Sequence, residues 1–575
     1  MDAWTGGRAV VELLKVEGVK HVFGIVGSTF LDVFDRLYDD SSVEYINVRH
    51  EQAAAFMADG LARVTDGPGV CLVTSGPGAT NLMTGVAAAY VAHSPVVVLV
   101  GGIALDHYQK DAFQEYDLLS MFRPVTKHAV LINKAERIPE LLRGALRPAM
   151  SGRPGPVFVE IPRDVLGGKL PPVSALAPER YRVTHPQAPP AAAVREAVER
   201  LRRAERPLLL VGGGATRAGA NQLVVELSER CGIPMITAYG RNDAVPSAHP
   251  LYLGPLGRAG APEAAAACRR ADLIVAVGSR LAQFTSQFDD RYVRPDTAII
   301  QIDIEGRDIG RYYPVAVGIQ ADARETVQAL LSALDRDGAP EERAAWRREA
   351  EALRAQRLAR LAAEANLGTK PMKPQRAYAE LRRVLPPETI VALDAGAAPA
   401  YGYDRLLFAR PRTFLTPLDL GRSGLRVSGG ARRQARPARR SGDRRAWGRR
   451  LPDERPGDRD RRQTRDRRRH DRHEQQLLGI GEGIPKALLR EPLHRLRHRQ
   501  PALRPAGSTL RRRRLLRRAS RPDRRRGQDS ARRRRARDHR DPDRPGRVPD
   551  SGRRGPPPGL GGPARPSTRS AIRSG

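Results

Sequence analysis

The chain has 575 residues, enough for three or four domains, and a formal net charge of +35. That charge lies at one end: residues 422–575 hold 49 basic and 16 acidic side chains, whereas residues 1–421 hold 50 and 48. The composition excludes a disulfide scaffold, because there are only three cysteines, and a membrane-spanning protein, because the longest apolar stretch, 94–101, is too short to cross a bilayer.

The basic tail, 422–575, has no Phe, no Tyr and a single Trp, Trp447. It cannot bury enough apolar surface to offset the entropy of an ordered chain, so we predict that it is disordered. The cysteines Cys71, Cys231 and Cys268 match no metal motif and are expected to be small buried side chains. An amphipathic pattern follows Met1 where a signal peptide would have an apolar run, which favours a cytoplasmic protein.

Residues 1–170 alternate between helical and strand patterns, and their strands are apolar runs. Such strands between helices indicate a parallel sheet covered on both faces. In chain order, the pattern predicts a helix at 9–16, a strand at 21–25, a helix at 30–37, a strand at 43–48, a helix at 51–62, a strand at 70–74, a helix at 80–92, a strand at 95–100 and a closing strand at 157–161.

A linker rich in Pro and Ala, 171–192, leads into a second α/β domain, predicted at 190–335. Its strands are expected at 207–211, 273–277 and 298–302, and a charged helical connector follows at 341–363. A third domain, 370–421, opens with a helix at 374–385 and a strand at 389–393 and stops near Gly421. The predicted fold is therefore doubly wound α/β, with three domains of which the third is truncated.

Three motifs in the first domain carry side chains suited to cofactor binding. Glu51 stands where a strand passes into a helix, and Gln114 lies in a Phe-Gln-Glu segment. A glycine-bearing turn between a strand and a helix lets backbone approach a flat ring and offers unpaired N–H groups. In open α/β sheets such turns lie where ligands bind. The turn contains Thr74, Gly76, Pro77, Gly78 and Asn81.

These motifs, with the segments 23–28 (FGIVGS) and 152–157 (GRPGPV), resemble the acetolactate synthase branch of the thiamine-diphosphate (ThDP) enzymes, over residues 1 to about 421. The resemblance implies decarboxylation of a 2-oxo acid, pyruvate, with carboligation to acetolactate, a step of branched-chain amino-acid synthesis. It also implies ThDP and Mg²⁺ as cofactors, and a homodimer or homotetramer whose site forms between two subunits.

In that family, the glutamate at the position of Glu51 bonds a ring nitrogen of the aminopyrimidine and favours its imino tautomer, which removes the thiazolium proton. The resemblance makes Glu51 and Gln114 catalytic. The alternatives are a solvated carboxylate at a helix start and a hydrogen-bonded loop amide. The residues implied at the cofactor site are Gly27, Ser28, Glu51, Thr74, Gly76, Pro77, Gly78 and Asn81, with an ordinary turn as the alternative for Gly27 and Ser28.

A second cofactor, FAD, is open. Arg153 aligns with an arginine that contacts FAD in the flavin-binding members of the family. A triple glycine, 212–214, follows a predicted strand, but Arg217 breaks the GxGxxG pattern. A structural glycine turn and a surface arginine are the alternative. Lys127 and His128 match a Thr-Lys-His segment of the family, with a solvated loop as their alternative.

The family's last domain holds Mg²⁺ through an Asp and an Asn, and this chain lacks that motif, although 392–396 and 417–421 resemble the opening of the domain. Read from the second base of each codon, Trp447-Gly448 must encode glycine, Gly448-Arg449 permits Asp, and Glu474, 26 codons later, permits Asn. We therefore predict that one extra nucleotide near the Gly421 codon has put 422–575 out of frame, so that no metal ligand is encoded and little or no activity remains.

Two other functions stay open. A sister activity, sulfoacetaldehyde acetyltransferase, is suggested by the FGIVGS turn and by the out-of-frame reading of the tail, whereas the segment 126–128 favours acetolactate synthase. A basic-tailed nucleic-acid binder is the alternative from another class, and it is disfavoured because the tail lacks aromatic residues for base stacking.

Overall fold

The computed structural model describes residues 4–173, 176–338, 343–417 and 420, without the side chains of Asp337 and Ala398. The predicted disorder and frame shift of 422–575 lie outside these residues. So does most of the predicted 417–421 motif. Within the described residues, no helix is long and apolar enough to cross a membrane.

The first domain is built on a sheet of six parallel strands in the order β3-β2-β4-β5-β7-β6, beside an antiparallel pair, β1 and β8. Its strands are β1 Trp4–Thr5, β2 His21–Gly24, β3 Glu44–Asn47, β4 Gly69–Thr74, β5 Val96–Gly102, β6 His128–Leu131, β7 Val157–Pro162 and β8 Lys169–Leu170. Its helices are α1 Gly6–Val16, α2 Leu31–Asp39, α3 Glu51–Val64, α4 Pro77–Ala92, α5 Leu118–Phe122, α6 Ile138–Met150 and α7 Arg163–Gly167.

The sheet is covered on both faces, as predicted. Along β5, Val97 and Leu99 pack into one core with α1 and α6, whereas Val96 and Val98 pack into another with α3 and α4. Each fully buried Val or Leu of this kind contributes about 1.5–3 kcal/mol of stability. Burial on both faces explains why these strands have no alternating polar positions.

The prediction for the first sheet missed one strand, β6. The strand predicted at 157–161 is β7, which lies between β5 and β6 in the sheet. The edge strand β6 had been assigned no element, because it is short and begins with the exposed His128.

The second domain repeats the architecture with the strand order β11-β10-β9-β12-β13-β14, again entirely parallel. Its strands are β9 Pro207–Val211, β10 Met235–Thr237, β11 Tyr252–Pro255, β12 Leu273–Val277, β13 Ala298–Asp303 and β14 Val317–Gln320. Its helices are α8 Ala191–Arg203, α9 Gly213–Arg217, α10 Asn221–Cys231, α11 Pro262–Arg270, α12 Gln283–Ser286 and α13 Ala323–Asp337.

The remaining described residues form a long connector helix and a small unit with its own apolar cluster around Tyr403 and Phe414. They comprise α14 Ala344–Ala365, α15 Pro374–Val384, α16 Ala397–Gly402, and the parallel pair β15 Val391–Ala392 and β16 Phe414–Leu415. The three cysteines are free and buried, as expected.

Candidate functional site

The predicted cofactor residues meet at the carboxyl edge of the first sheet. From β2 the chain moves to β3 on one side and then to β4 on the other, so a crevice opens between β2 and β4. This is the position at which open α/β sheets bind ligands. The segments that follow β2, β3 and β5 carry Gly27, Glu51 and Gln114, and β4 ends at Thr74.

Glu51 is the first residue of α3 and is buried, with 9% of its surface exposed. Its Oε2 accepts a hydrogen bond of 2.9 Å from the side-chain amide of Asn81 on α4. The two helices touch closely one turn further on, where a Cβ on Gly85 would lie 2.4 Å from the Cβ of Ala55. The carboxylate is therefore buried and bonded to a neighbouring side chain.

Gly76 and Gln114 are in direct contact. Gly76 caps α4 with φ of 58°, and a Cβ added there would lie 3.0 Å from the Cβ of Gln114. Ser75 Oγ donates to the backbone carbonyl of Gln114 over 2.9 Å, and Thr74 Oγ1 donates to its Oε1 over 3.4 Å. The amide side chain is thus held at the glycine turn, beside the start of α4.

The other predicted residues surround this centre. A Cβ on Gly27 would lie 2.6 Å from the Cβ of Thr74, and a Cβ on Gly78 would lie 2.8 Å from Cγ2 of the same residue. Thr74 Oγ1 also lies 3.0 Å from Thr29 Oγ1, a contact that the sequence did not indicate. Ser28 and Pro77 are exposed at the rim. All of these predicted residues lie at one edge, whereas Arg153 does not share it.

Arg153 lines a separate cavity of about 670 Å³ at the carboxyl edge of the second sheet. Its guanidinium forms ion pairs with Asp308 and, over 3.7 Å, with Glu305. It is therefore not a freely solvated surface arginine. The glycines at 212–214 line or border the same cavity, and a Cβ on Gly212 would lie 2.2 Å from the carbonyl oxygen of Gly278, so backbone packing already requires that glycine.

The cavity is strongly cationic, and this could not be predicted from the sequence because its arginines come from distant segments. His93, the residue that caps the end of α4, has a pKa lowered to about 3 by burial and by Arg280, Arg153 and Arg241. Its Nε2, like Nε and one terminal nitrogen of Arg63, is buried without a hydrogen-bond partner. The arginines in the lining are Arg63, Arg153, Arg182, Arg217, Arg241, Arg280 and Arg412.

Lys127 and His128 have different surroundings in the structure. Lys127 Nζ donates to the backbone carbonyls of Ser151 and Arg153 over 2.9 and 2.7 Å, and its pKa is lowered to about 8 by desolvation. It supports the segment that carries Arg153, although the residue itself is exposed. His128 is exposed at the start of β6.

Metal ligands were not predicted within this reading frame. In the part of the chain that the structure describes, no three His, Cys, Asp or Glu side chains are grouped to hold a metal ion.

Comparison with known proteins identifies the family. Residues 4–121 match the N-terminal TPP binding domain of thiamine pyrophosphate enzymes, and residues 194–330 match their central domain. The chain is 36% identical over 433 residues to the probable acetolactate synthase large subunit of Methanocaldococcus jannaschii, covering 73% of this chain and 71% of that protein.

Two further relatives carry the names of two different activities. Identity is 36% over 431 residues with acetolactate synthase isozyme 3 large subunit of Escherichia coli, covering 74% of both chains. It is 34% over 443 residues with sulfoacetaldehyde acetyltransferase of Alcaligenes xylosoxydans xylosoxydans, covering 73% of this chain and 72% of that protein. The chain belongs to the thiamine-diphosphate-dependent enzymes and is similar to the acetolactate synthase large subunits among them.

Proposed function

We propose that the edge around Glu51 binds the aminopyrimidine of ThDP and that the ancestral reaction is decarboxylation of pyruvate followed by carboligation to acetolactate. The observation that carries the proposal is the buried Glu51 carboxylate, bonded to Asn81 beside the Gly76 turn and Gln114. When bound, ThDP supplies the electron sink for the carbanion left by loss of CO₂.

The residues of this chain have separable parts in that reaction. Asn81 donates to Oε2 of Glu51, so Oε1 would be the oxygen left to hydrogen-bond to the pyrimidine ring of ThDP. Thr74 occupies Oε1 of Gln114, so its amide nitrogen is the group turned to ligands. Gly27 and Gly76 keep the crevice narrow because neither position leaves room for a side chain.

Binding of the pyrimidine can be tested without turnover. Thiamine is titrated into the 575-residue chain by calorimetry, and Glu51→Gln, which keeps the size of the side chain but cannot share a proton in the same way, is compared. We expect the variant to bind at least about ten-fold more weakly, since hydrogen bonds to a charged group contribute about 1.5–3 kcal/mol. Equal binding by both proteins would contradict the role of Glu51.

We propose further that the chain as encoded turns over little or no pyruvate, since Mg²⁺ ligands are missing from its frame. The experiment is to sequence the gene around the Gly421 codon and to express it with one nucleotide deleted there. Turnover that depends on Mg²⁺ should appear only in the corrected chain. Comparable turnover by the uncorrected chain would refute the frame shift.

A sister reaction is the second candidate, favoured by the 34% identity to sulfoacetaldehyde acetyltransferase. The corrected chain is assayed for acetolactate from pyruvate and for acetyl phosphate from sulfoacetaldehyde plus phosphate. Whichever product forms decides between the two, and the Glu51 proposal applies to either because both relatives share the scaffold.

We infer that the cationic cavity binds a polyanionic cofactor, with FAD as the candidate. The unpartnered buried nitrogens of Arg63 and His93 and the surrounding guanidinium groups suit a diphosphate. The purified chain is denatured and its supernatant examined for flavin absorption. Arg280→Glu should lower the flavin content, while Arg294→Glu, outside the cavity, should not. Flavin-free protein that also fails to take up added FAD would leave only the structural glycine turn.

We also propose a homodimer or homotetramer. Its support is the exposure of large apolar side chains on segments at the site edge: Val26 is 58% exposed and Phe113 is 86% exposed. Exposed apolar groups of this kind commonly mark interfaces.

A further inference from the structure

Glu160 is a carboxylate placed inside a sheet. It lies within β7, in register with Val100 on β5 and Leu131 on β6, and only 3% of its surface is exposed. Its Oε1 accepts a hydrogen bond of 2.8 Å from the hydroxyl of Tyr108. A Cβ on Gly102 would lie 2.9 Å from that Oε1 and 3.1 Å from the Tyr108 hydroxyl, so a glycine is needed where the pair meets β5.

Tyr108 belongs to the loop 103–117, which runs from β5 to α5 and carries Gln114. Three residues of this loop, Gln109, Asp111 and Gln114, have φ between 52° and 66°. Non-glycine residues in this region cost about 1–3 kcal/mol each, so the loop needs outside contacts to keep its shape. Besides Tyr108, these contacts include the hydrogen bond from Leu105 N to Asp164 Oδ1, over 3.2 Å, and the bonds from Ser75 and Thr74 to Gln114.

We propose that Glu160 is a positioning residue which, through Tyr108, holds the loop that presents Gln114 to the cofactor edge. The inference rests on the proposed function in so far as Gln114 acts there. It adds a residue that touches neither substrate nor cofactor. A buried carboxylate needs a hydrogen-bond partner, and among the described residues the side chain that bonds to Glu160 is that of Tyr108, which belongs to this loop.

Because of the charged groups around Glu160 and Tyr108, the proposal predicts a specific pH dependence. Burial raises the pKa of Glu160 from its ordinary 4.5 to about 7; the Tyr108 bond lowers it, and Asp117, at the start of α5, raises it. Tyr108 itself faces Asp164 on α7 and Glu115 in the loop as well. The raised pKa belongs to the state in which Glu160 is buried and bonded to Tyr108. The stability from the neutral carboxyl is therefore fully present below about pH 4.5 and lost as pH rises through about 7.

The test uses the full chain and the protease Lys-C, which can cleave after Lys110 in the loop. Cleavage after the exposed Lys134 serves as an internal reference for protease activity at each pH. Normalised cleavage at Lys110 should rise between about pH 5.5 and pH 8.5 in the wild type. Tyr108→Phe should raise it at least about five-fold even at the acidic end, because the anchor is gone. Tyr116→Phe, an exposed tyrosine of the same loop, is the matched control and should change nothing.

Glu160→Gln separates positioning from mere packing. Glutamine keeps the size and an oxygen that accepts from Tyr108, but it does not titrate. Lys110 should therefore remain protected at alkaline pH, and the pH dependence should disappear. A variant that keeps the wild-type pH profile would overturn the proposal, as would a Tyr108→Phe protein with an unchanged Lys110. If the wild-type chain shows the expected pH dependence at Lys110 but binds no thiamine, the proposed function fails while the role of Glu160 in holding the loop stands.

Discussion

Asn81 controls the surroundings of Glu51 more directly than any other described side chain, because its amide is the donor to Oε2. In Asn81→Asp, a second carboxylate would stand where that donor stood, and like charges at such distances repel. We expect the free energy of unfolding in urea to fall by about 1–3 kcal/mol. Asn47→Asp, at the exposed last residue of β3, should be close to neutral. Equal effects of the two changes would mean that the Glu51–Asn81 bond contributes nothing to stability.

Gly76 is fixed by both its backbone and its neighbour. Gly76→Ala would place a side chain at φ of 58° and 3.0 Å from the Cβ of Gln114. A loss of about 1–2 kcal/mol of unfolding free energy is expected from the backbone conformation alone. Gly67→Ala makes a matched control, since nothing lies within 4 Å of a Cβ there. The prediction fails if thermal unfolding of the two variants is the same.

At the residue scale, motifs in the sequence pointed to candidate site residues but not to the side chains that contact them. Glu51, Gly76 and Gln114 were predicted because they lie in compact motifs. Glu160 and His93 were not, because their character comes from burial and from side chains far away in the chain. No local pattern reveals that a strand carboxylate will face a tyrosine 52 positions away.

Among the elements, α14 depends on one buried ion pair. Arg357, 2% exposed, donates to Asp404, 1% exposed, over 2.8 Å, and Arg360 reaches the same carboxylate over 2.5 Å. Asp404→Ala would leave a buried guanidinium without its partner, at a cost of about 3–5 kcal/mol. Glu351→Ala breaks the exposed pair with Arg347 on the same helix and should cost under about 1 kcal/mol. Urea denaturation that ranks them equally would contradict this.

Elements that bury both faces were the easiest to predict. The strands β5, β9 and β12 were found because every residue in them is apolar, and α3 and α4 because their small residues repeat at helical spacing. The short strands β10 and β6 were not predicted, because β10 has three residues and β6 starts on an exposed histidine. Their strand state comes from pairing with neighbours, which a single sequence does not display.

For the whole molecule, the doubly wound architecture followed from alternating helices and apolar strands, and both six-stranded sheets confirm it. The proposed boundaries, 1–170 and 190–335, stay predictions. The cationic cavity could not be foreseen, since its lining combines segments from both of these domains. The charge that was visible in the sequence lay elsewhere, in 422–575.

The proposed association of subunits gives a prediction at the same scale. Phe113→Ser removes an 86% exposed aromatic ring from the site edge, whereas Tyr38→Ser removes an 81% exposed one at the end of α2. If the edge is an interface, sedimentation velocity should show the first variant dissociating at protein concentrations at which the second stays assembled. Identical sedimentation of both variants would locate the interface elsewhere.

Helix α4 fixes the distance between the proposed cofactor edge and the cationic cavity. Its beginning holds Gly76 and Asn81, and its end is capped by His93 in the cationic cavity. Sixteen helical residues span about 24 Å, and each residue adds a rotation of about 100° around the helix axis. Inserting or deleting one residue midway would swing Asn81 away from Glu51 or His93 out of the cavity, so homologues that keep both should vary the composition of this helix but not its length.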